Sequence, residues 1–268
     1  MSASSFTTVT LQIGDLHLRL LEAGQPGNPV VLLIQGGLGD AELHWHRTLA
    51  ELGVSFHVFA PDLPGFHAGS DVLKQPSLPH IMEWINNLLD ELHEEKVLLI
   101  GTSVGGLIAR FYAAQYPALV ERLILVDGGQ IANIPGMMRT LINMPGIAQA
   151  FYSAMYRQTY SRHALQRNIY QQNLLTEDFF RITNQASKGY MLLIRAFLAE
   201  PWPAKRTPTC PTLIIWGQED HLASPSEGRK MLTEIPHAEL SLIEKSGHMP
   251  MIEQPELFSA AVMKFIRG

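Results

Sequence analysis

Strand-length apolar runs, each followed by a helix-length segment, constrain this 268-residue chain more than any other feature. Val30 to Ile34, Lys96 to Ile100 and Arg122 to Val126 read as strands, and the runs Val30 to Ile34, Val97 to Ile100 and Leu123 to Val126 contain no polar residue, as expected of strands covered on both faces. Phe56 to Ala60 reads as a further strand, halted by Pro61 and the Pro64-Gly65 turn. Helical patterns fall between the runs. Asp40 can cap a helix with Leu43, His46, Leu49 and Leu52 on one stripe, and Leu78–His93 and Val104–Tyr116 follow. Strands separated by helices of this length predict right-handed crossovers and a mostly parallel sheet. Ahead of them, Phe6 to Ile13 and Leu16 to Glu22 alternate about Gly14-Asp15 as a β-hairpin does.

The rhythm lapses between residues 130 and 206. Strand signals vanish there, and helix-compatible segments are broken by Pro135, Pro145, Gly189, Pro201 and Pro203. Five of the 11 Met residues lie in this stretch. One reading is a helical insertion with its own small core; the other is a lid whose flexible Met and aromatic side chains line an apolar pocket. Beyond it, Pro211 to Trp216 and Glu239 to Glu244 read as strands and Gln254 to Ile266 as a closing helix. The division predicted is a core of residues 1–129 and 207–268 interrupted by a helical cap of residues 130–206.

Composition removes several classes of function. Hydrophobic residues make up 46% and charged residues 17%, enough apolar material for a sizeable core. A formal charge of −5 gives no basic footprint for nucleic acid or an anionic membrane. The single cysteine, Cys210, rules out an internal disulfide and cysteine-based zinc or iron–sulfur sites. No apolar run reaches bilayer length, and Met1 to Thr8 is polar, so a cytoplasmic location is expected. No dinucleotide-binding G-x-G-x-x-G, Walker-type Gly-Lys-Ser/Thr or H-E-x-x-H pattern occurs. His44 and His46 stand two apart on a helix and face away from each other, which argues against a metal there. Neither cofactor nor metal is expected; the expected partner is a small-molecule substrate, and oligomeric state is left open.

Gly101-Thr102-Ser103-Val104-Gly105-Gly106 follows one apolar strand directly and opens a helix. This is the G-x-S-x-G arrangement, in which a sharp turn between small residues exposes a serine Oγ. A serine hydroxyl needs a base, and that base needs a carboxylate to orient it. Asp220 lies just past the strand ending in Trp216-Gly217, and His248 lies just past the next strand. Carboxyl ends of parallel strands are where ligands gather. Asp127, at the end of Leu123 to Val126, is the rival acid.

Taken in order, these motifs make the whole chain resemble an α/β-hydrolase with a helical cap before its last two strands. The likeness includes Gln35-Gly36-Gly37, Asp62-Leu63-Pro64-Gly65, the turn at Ser103, Trp216-Gly217-x-x-Asp220 and Gly247-His248-x-Pro250-x-x-Glu253-x-Pro255-x-x-Phe258. It implies a mostly parallel, eight-stranded α/β sheet flanked by helices. It also implies Ser103 as nucleophile, His248 as general acid and base, Asp220 as its orienting partner, and Gly37 and Val104 amides as an oxyanion hole. The expected pocket residues are Gln35, Trp45, Met137, Met155 and Trp202. Phe66 is divided between pocket and core, and His221 is expected at the rim or surface.

Two departures from the family pattern stand out. Gln35 replaces the usual histidine, and Gly65-Phe66-His67-Ala68-Gly69-Ser70 is one residue out of the usual Gly-x-Gly-x-Ser spacing. A serine rather than an aspartate at the turn argues against dehalogenase and epoxide hydrolase chemistry. The leading expectation is a cofactor-independent ester hydrolase. Hydrolysis of a C–C bond in a diketone-like substrate and a non-hydrolytic, ligand-binding role are the alternatives.

Overall fold

The computed structural model describes residues 6–130, 135–144, 146–199, 201–204 and 206–268. Eight strands form one sheet: β1 (Thr7–Ile13), β2 (Leu16–Ala23), β3 (Val30–Ile34), β4 (His57–Pro61), β5 (Val97–Thr102), β6 (Val120–Val126), β7 (Thr212–Gly217) and β8 (Ala238–Ile243). Their spatial order is β1-β2-β4-β3-β5-β6-β7-β8. β2 runs antiparallel to β1 and β4, and every other pairing is parallel. The turn at Gly14-Asp15 closes the hairpin as its sequence predicts, with Gly14 at φ +59°.

β3, β4, β5 and β7 are buried at every position, because helices cover both faces. These are α1 (Ala41–Leu52), α2 (Leu78–Glu91), α3 (Val104–Gln115), α8 (Pro225–Glu234) and the C-terminal α9 (Pro250–Glu253) and α10 (Pro255–Arg267). Two apolar clusters result, one on each side of the sheet. Between β6 and β7 the helices α4 (Gly136–Ile142), α5 (Ile147–Tyr160), α6 (Arg162–Asn168) and α7 (Glu177–Ala199) form the helical segment, hereafter the cap.

α1 begins where predicted: the Asp40 carboxylate accepts from the Leu43 amide at 2.9 Å. Its buried stripe differs from the expected one. Ala41, His44, Trp45, Thr48, Leu49 and Leu52 face inward, while His46 is exposed and Leu43 only half-buried. The polar His44 can be buried because its Nδ1 donates to the Asp40 carbonyl at 2.9 Å. Arg19 fixes the entry to this helix, with Nε on Asp62 at 2.7 Å and Nη2 on Asp40 at 2.9 Å. The Asp62 carboxylate in turn accepts from the Ala41 amide at 2.8 Å.

The loop with the displaced spacing closes on itself. Ser70 Oγ donates to the His67 carbonyl at 2.9 Å and accepts from the Gly65 amide at 3.2 Å, with Gly65 and Gly69 at positive φ.

Candidate active site

Ser103 stands between β5 and α3 at φ +53°, ψ −118°, a strained backbone for a residue with a Cβ. Neighbouring peptides hold it there: its amide donates to the Val126 carbonyl at 2.8 Å and its carbonyl accepts from Leu107 at 3.1 Å. The turn tolerates no bulk beside it. A Cβ on Gly105 would overlap the Ile34 region and the Gln35 carbonyl, and one on Gly128 would overlap the Ser103 backbone. Val104 opens α3, whose first-turn amides and dipole favour negative charge.

His248 follows β8 and is almost fully buried. Its Nδ1 donates to Asp220 Oδ2 at 2.7 Å, and its Nε2 is buried without a partner among the described residues. Asp220 Oδ1 accepts from the Leu222 and Ala223 amides at 2.8 and 3.0 Å. Asp127, the rival acid, instead accepts from the Gly217 amide at 2.7 Å through Oδ1, and its Oδ2 has no partner among the described residues. Burial first, and the nearby Asp220 second, push the Asp127 carboxyl well above the ordinary carboxylate range. The carboxylate bonded to the imidazole is therefore Asp220, while Asp127 is driven toward its neutral form.

The loop carrying His248 is tied to the cap. The His248 amide donates to the Asn168 carbonyl at 2.9 Å. Glu253 spans the junction: Oε1 accepts from Met249 at 3.0 Å, and Oε2 from Tyr170 and Gln171 at 2.6 and 3.0 Å. Burial raises the Glu253 carboxyl despite these donors. Two cap tyrosines reach the loop after β3. Tyr160 donates to the Gly37 carbonyl at 2.6 Å, and the Tyr190 ring occupies the space a Cβ on Gly37 would need. Neither tyrosine was expected from sequence, because their partner lies more than 100 residues away.

Ser103, Val104, Asp127 and His248 line one cavity of about 290 Å³. Leu107, Met155, Thr159, Tyr190, Ile194 and Leu222 are among its remaining walls. Met155 is thus the one expected pocket residue found there. Gln35 is fully buried and absent from the lining, and its Oε1 accepts from the Leu63 amide at 3.2 Å, binding two loops together. Trp45 is core, fully buried with its ring 6.5 Å from Phe258. Trp202 stacks on Phe111 at 5.7 Å and meets Phe197 at 6.3 Å, outside the cavity lining. Met137 is absent from the cavity lining and is 79% exposed. Phe66 is buried core, and His221 is exposed.

The architecture defines a class: an α/β sheet with a strand–serine–helix turn at the carboxyl ends of its parallel strands. The chain belongs to the alpha/beta hydrolase fold family, whose model matches residues 29–255, and it is a hydrolase of that fold. It is 27% identical over 277 residues to a 2-hydroxy-6-oxononadienedioate/2-hydroxy-6-oxononatrienedioate hydrolase of Pseudomonas sp, covering 94% of this chain and 92% of that one. Among solved structures it resembles the 2-hydroxy-6-oxo-6-phenylhexa-2,4-dienoate hydrolase of Rhodococcus sp. strain RHA1, with TM-score 0.76, 20% identity and coverage of 98% and 99%. It also resembles the naproxen esterase of Bacillus subtilis, with TM-score 0.75, 19% identity and coverage of 98% and 92%.

Proposed function

We propose that the protein is a serine hydrolase that cleaves the ester bond of a small, uncharged, largely apolar substrate through an acyl-enzyme on Ser103. The observation that carries this reading is His248, held through Nδ1 by Asp220 with an unpartnered Nε2 in the cavity it shares with Ser103. With the proton on Nδ1 committed to the carboxylate, Nε2 is the basic nitrogen that takes the Ser103 proton as Oγ attacks the carbonyl. The tetrahedral oxyanion then meets the Gly37 and Val104 amides, donors that typically lower such a barrier by about 3–4 kcal/mol each. His248 returns its proton to the leaving alcohol and next activates the water that releases the acid.

C–C bond hydrolysis is the second reading, favoured by relatives such as the Pseudomonas hydrolase. The cavity walls argue for the ester. The relatives' names describe dienoates and dienedioates, which carry carboxylates. No Lys or Arg lines the cavity among the described residues, so nothing there pairs with a substrate carboxylate. Burying an unpaired carboxylate costs several kcal/mol.

A graded series of p-nitrophenyl esters and a vinylogous diketone dienoate, assayed side by side, tests both. Ester turnover is expected, with Ser103→Ala lowering kcat by about four orders of magnitude or more, together with fluorophosphonate labelling of Ser103. Cleavage of the dienoate in preference to every ester would transfer the same residues to the C–C reaction. Full turnover by Ser103→Ala would overturn the nucleophile.

A further inference from the structure

The charge of −5 conceals a segregation. Residues 130–206 hold nine Lys and Arg against three Asp and Glu, whereas the rest of the chain holds eleven against twenty-two. Most of the exposed large apolar side chains among the described residues lie in the same region: Met137, Met138, Leu141, Met144, Ile147 and Phe151, all on or beside α4 and α5, are 37–79% exposed. α4 buries only Ile142, and α5 buries only Ala148, Thr159 and Tyr160. Both helices thus present apolar side chains that no other described residue covers.

A groove of about 760 Å³ runs between α5 and α7, lined by Tyr152, Tyr156 and Leu192 with the cations Arg157, Lys188 and Arg195. None of these three cations is paired with a carboxylate among the described residues. Arg195 lies over the Tyr152 ring at 5.7 Å. The groove is separate from the cavity at Ser103. Met155 and Thr159 of α5, and Tyr190 and Ile194 of α7, line that cavity, whereas different residues of the same two helices line the groove.

We propose that this outer face of the cap docks on an anionic phospholipid surface, the cations meeting headgroup phosphates while the Met, Leu, Ile and Phe side chains enter the acyl boundary. Apolar side chains flanked by Lys and Arg are the composition of an interfacial helix. Charge complementarity selects this occupant. A second cap would carry the same excess of positive charge, and a neutral surface would leave the cations uncompensated. The excess of acid over the remainder of the molecule turns that part away from the lipid. Summing charge over the whole sequence cancels the two halves, which is why composition alone excludes an anionic membrane. Docking does not depend on the ester reaction, and its readout is binding.

Flotation of the full chain with vesicles tests it. Phosphatidylcholine containing phosphatidylglycerol is expected to carry the protein up, and phosphatidylcholine alone is not. High salt should release it, since exposed charges are screened. Reversing three cations in Arg157→Glu/Lys188→Glu/Arg195→Glu should lower partitioning by about a hundredfold, with circular dichroism and turnover of a soluble ester unchanged. Met137→Ser/Met138→Ser provides an independent variant and should weaken binding about tenfold. Equal binding to both vesicle types, or none, overturns the proposal. So does undiminished binding by a folded triple variant, or a concentration-dependent dimer that the same reversal abolishes.

Discussion

The sheet and the cap bury their residues in opposite ways. β3, β4, β5 and β7 are inaccessible along their whole length, whereas α4 and α5 together bury four residues of twenty-one. Ser103, Asp127, Asp220 and His248 follow strands of the first region and inherit their rigidity; Met155, Tyr160 and Tyr190 reach the same space from the second. The contrast teaches where precision is needed. Proton transfer requires atoms fixed to a fraction of an ångström, which close packing supplies. Accommodating a substrate and a surface requires side chains that can repack, which Met-bearing helices supply.

The sharpest way to break this division is at Trp45, a sequence-expected pocket residue that lies in the core. Trp45→Ala removes a fully buried ring packed near Phe258 and Leu49. It should destabilise the protein by about 3–5 kcal/mol, the usual cost of deleting a large buried aromatic. Urea denaturation measures this. A loss below 1 kcal/mol would mean that Trp45 faces a space the structure does not assign to it.

A smaller effect is expected from pH, and it belongs to the core. His44 is buried on α1, its Nδ1 donating to the Asp40 carbonyl, and burial above all lowers its pKa from 6.5 to about 4. Nearby His248 adds to the lowering, while the Asp40 contacts oppose it. Between those two values the unfolded chain binds a proton at His44 that the folded chain refuses. The stabilisation is therefore complete above pH 6.5 and is lost as pH falls toward about 4, to a total of roughly 3 kcal/mol. Denaturation midpoints across this window should fall more steeply in wild type than in His44→Gln, whose amide keeps a donor for the Asp40 carbonyl. Parallel curves would remove His44 from the account of acid sensitivity.

These two residues also mark the limit of what sequence discloses. The central strands were legible to within about two residues, because strands buried on both faces are largely apolar, and the hairpin of β1 and β2 was legible from its alternation about Gly14-Asp15. The Ser103 turn was legible because small residues bracket it between a strand and a helix, and Asp220 and His248 because both follow strands in a recognisable order. The buried stripe of α1 was read correctly at Leu49 and Leu52 but missed at Leu43 and His46, where His44 and Trp45 face inward instead. His44 and Thr48 are polar yet buried, and hydrophobic periodicity assigns such residues to solvent. Gln35 was expected to contact substrate because it stands where the family has a histidine; its bond to the Leu63 amide joins loops 28 residues apart, which no local pattern shows. The contacts of Tyr160 and Tyr190 with Gly37 depend on how the cap settles on the core, which no local pattern encodes. The segregation of charge was present in the sequence throughout, yet it gained meaning only once α4, α5 and α7 were placed on one side of the molecule.

The smallest predicted effect is at Met137, and it isolates what distinguishes the cap. Trp45 and Met137 were equally plausible pocket residues by sequence, and the structure separates them completely: one has no accessible surface and the other is 79% exposed. Met137→Ala therefore removes little buried area and creates no cavity. Its stability should stay within about 0.5 kcal/mol of wild type, as at other surface sites lacking a cap, pair or strained backbone, and kcat/KM for a soluble ester should not change. A stability loss of 2 kcal/mol would imply that another surface covers α4 in solution, in a second copy of the chain or a rearranged cap. Sedimentation velocity on wild type and variant then separates those two causes, since a second copy changes the mass and a rearranged cap does not. With stability unchanged, any weaker partitioning of this variant onto anionic vesicles reports the lipid contact itself, because no folding term contributes to the difference.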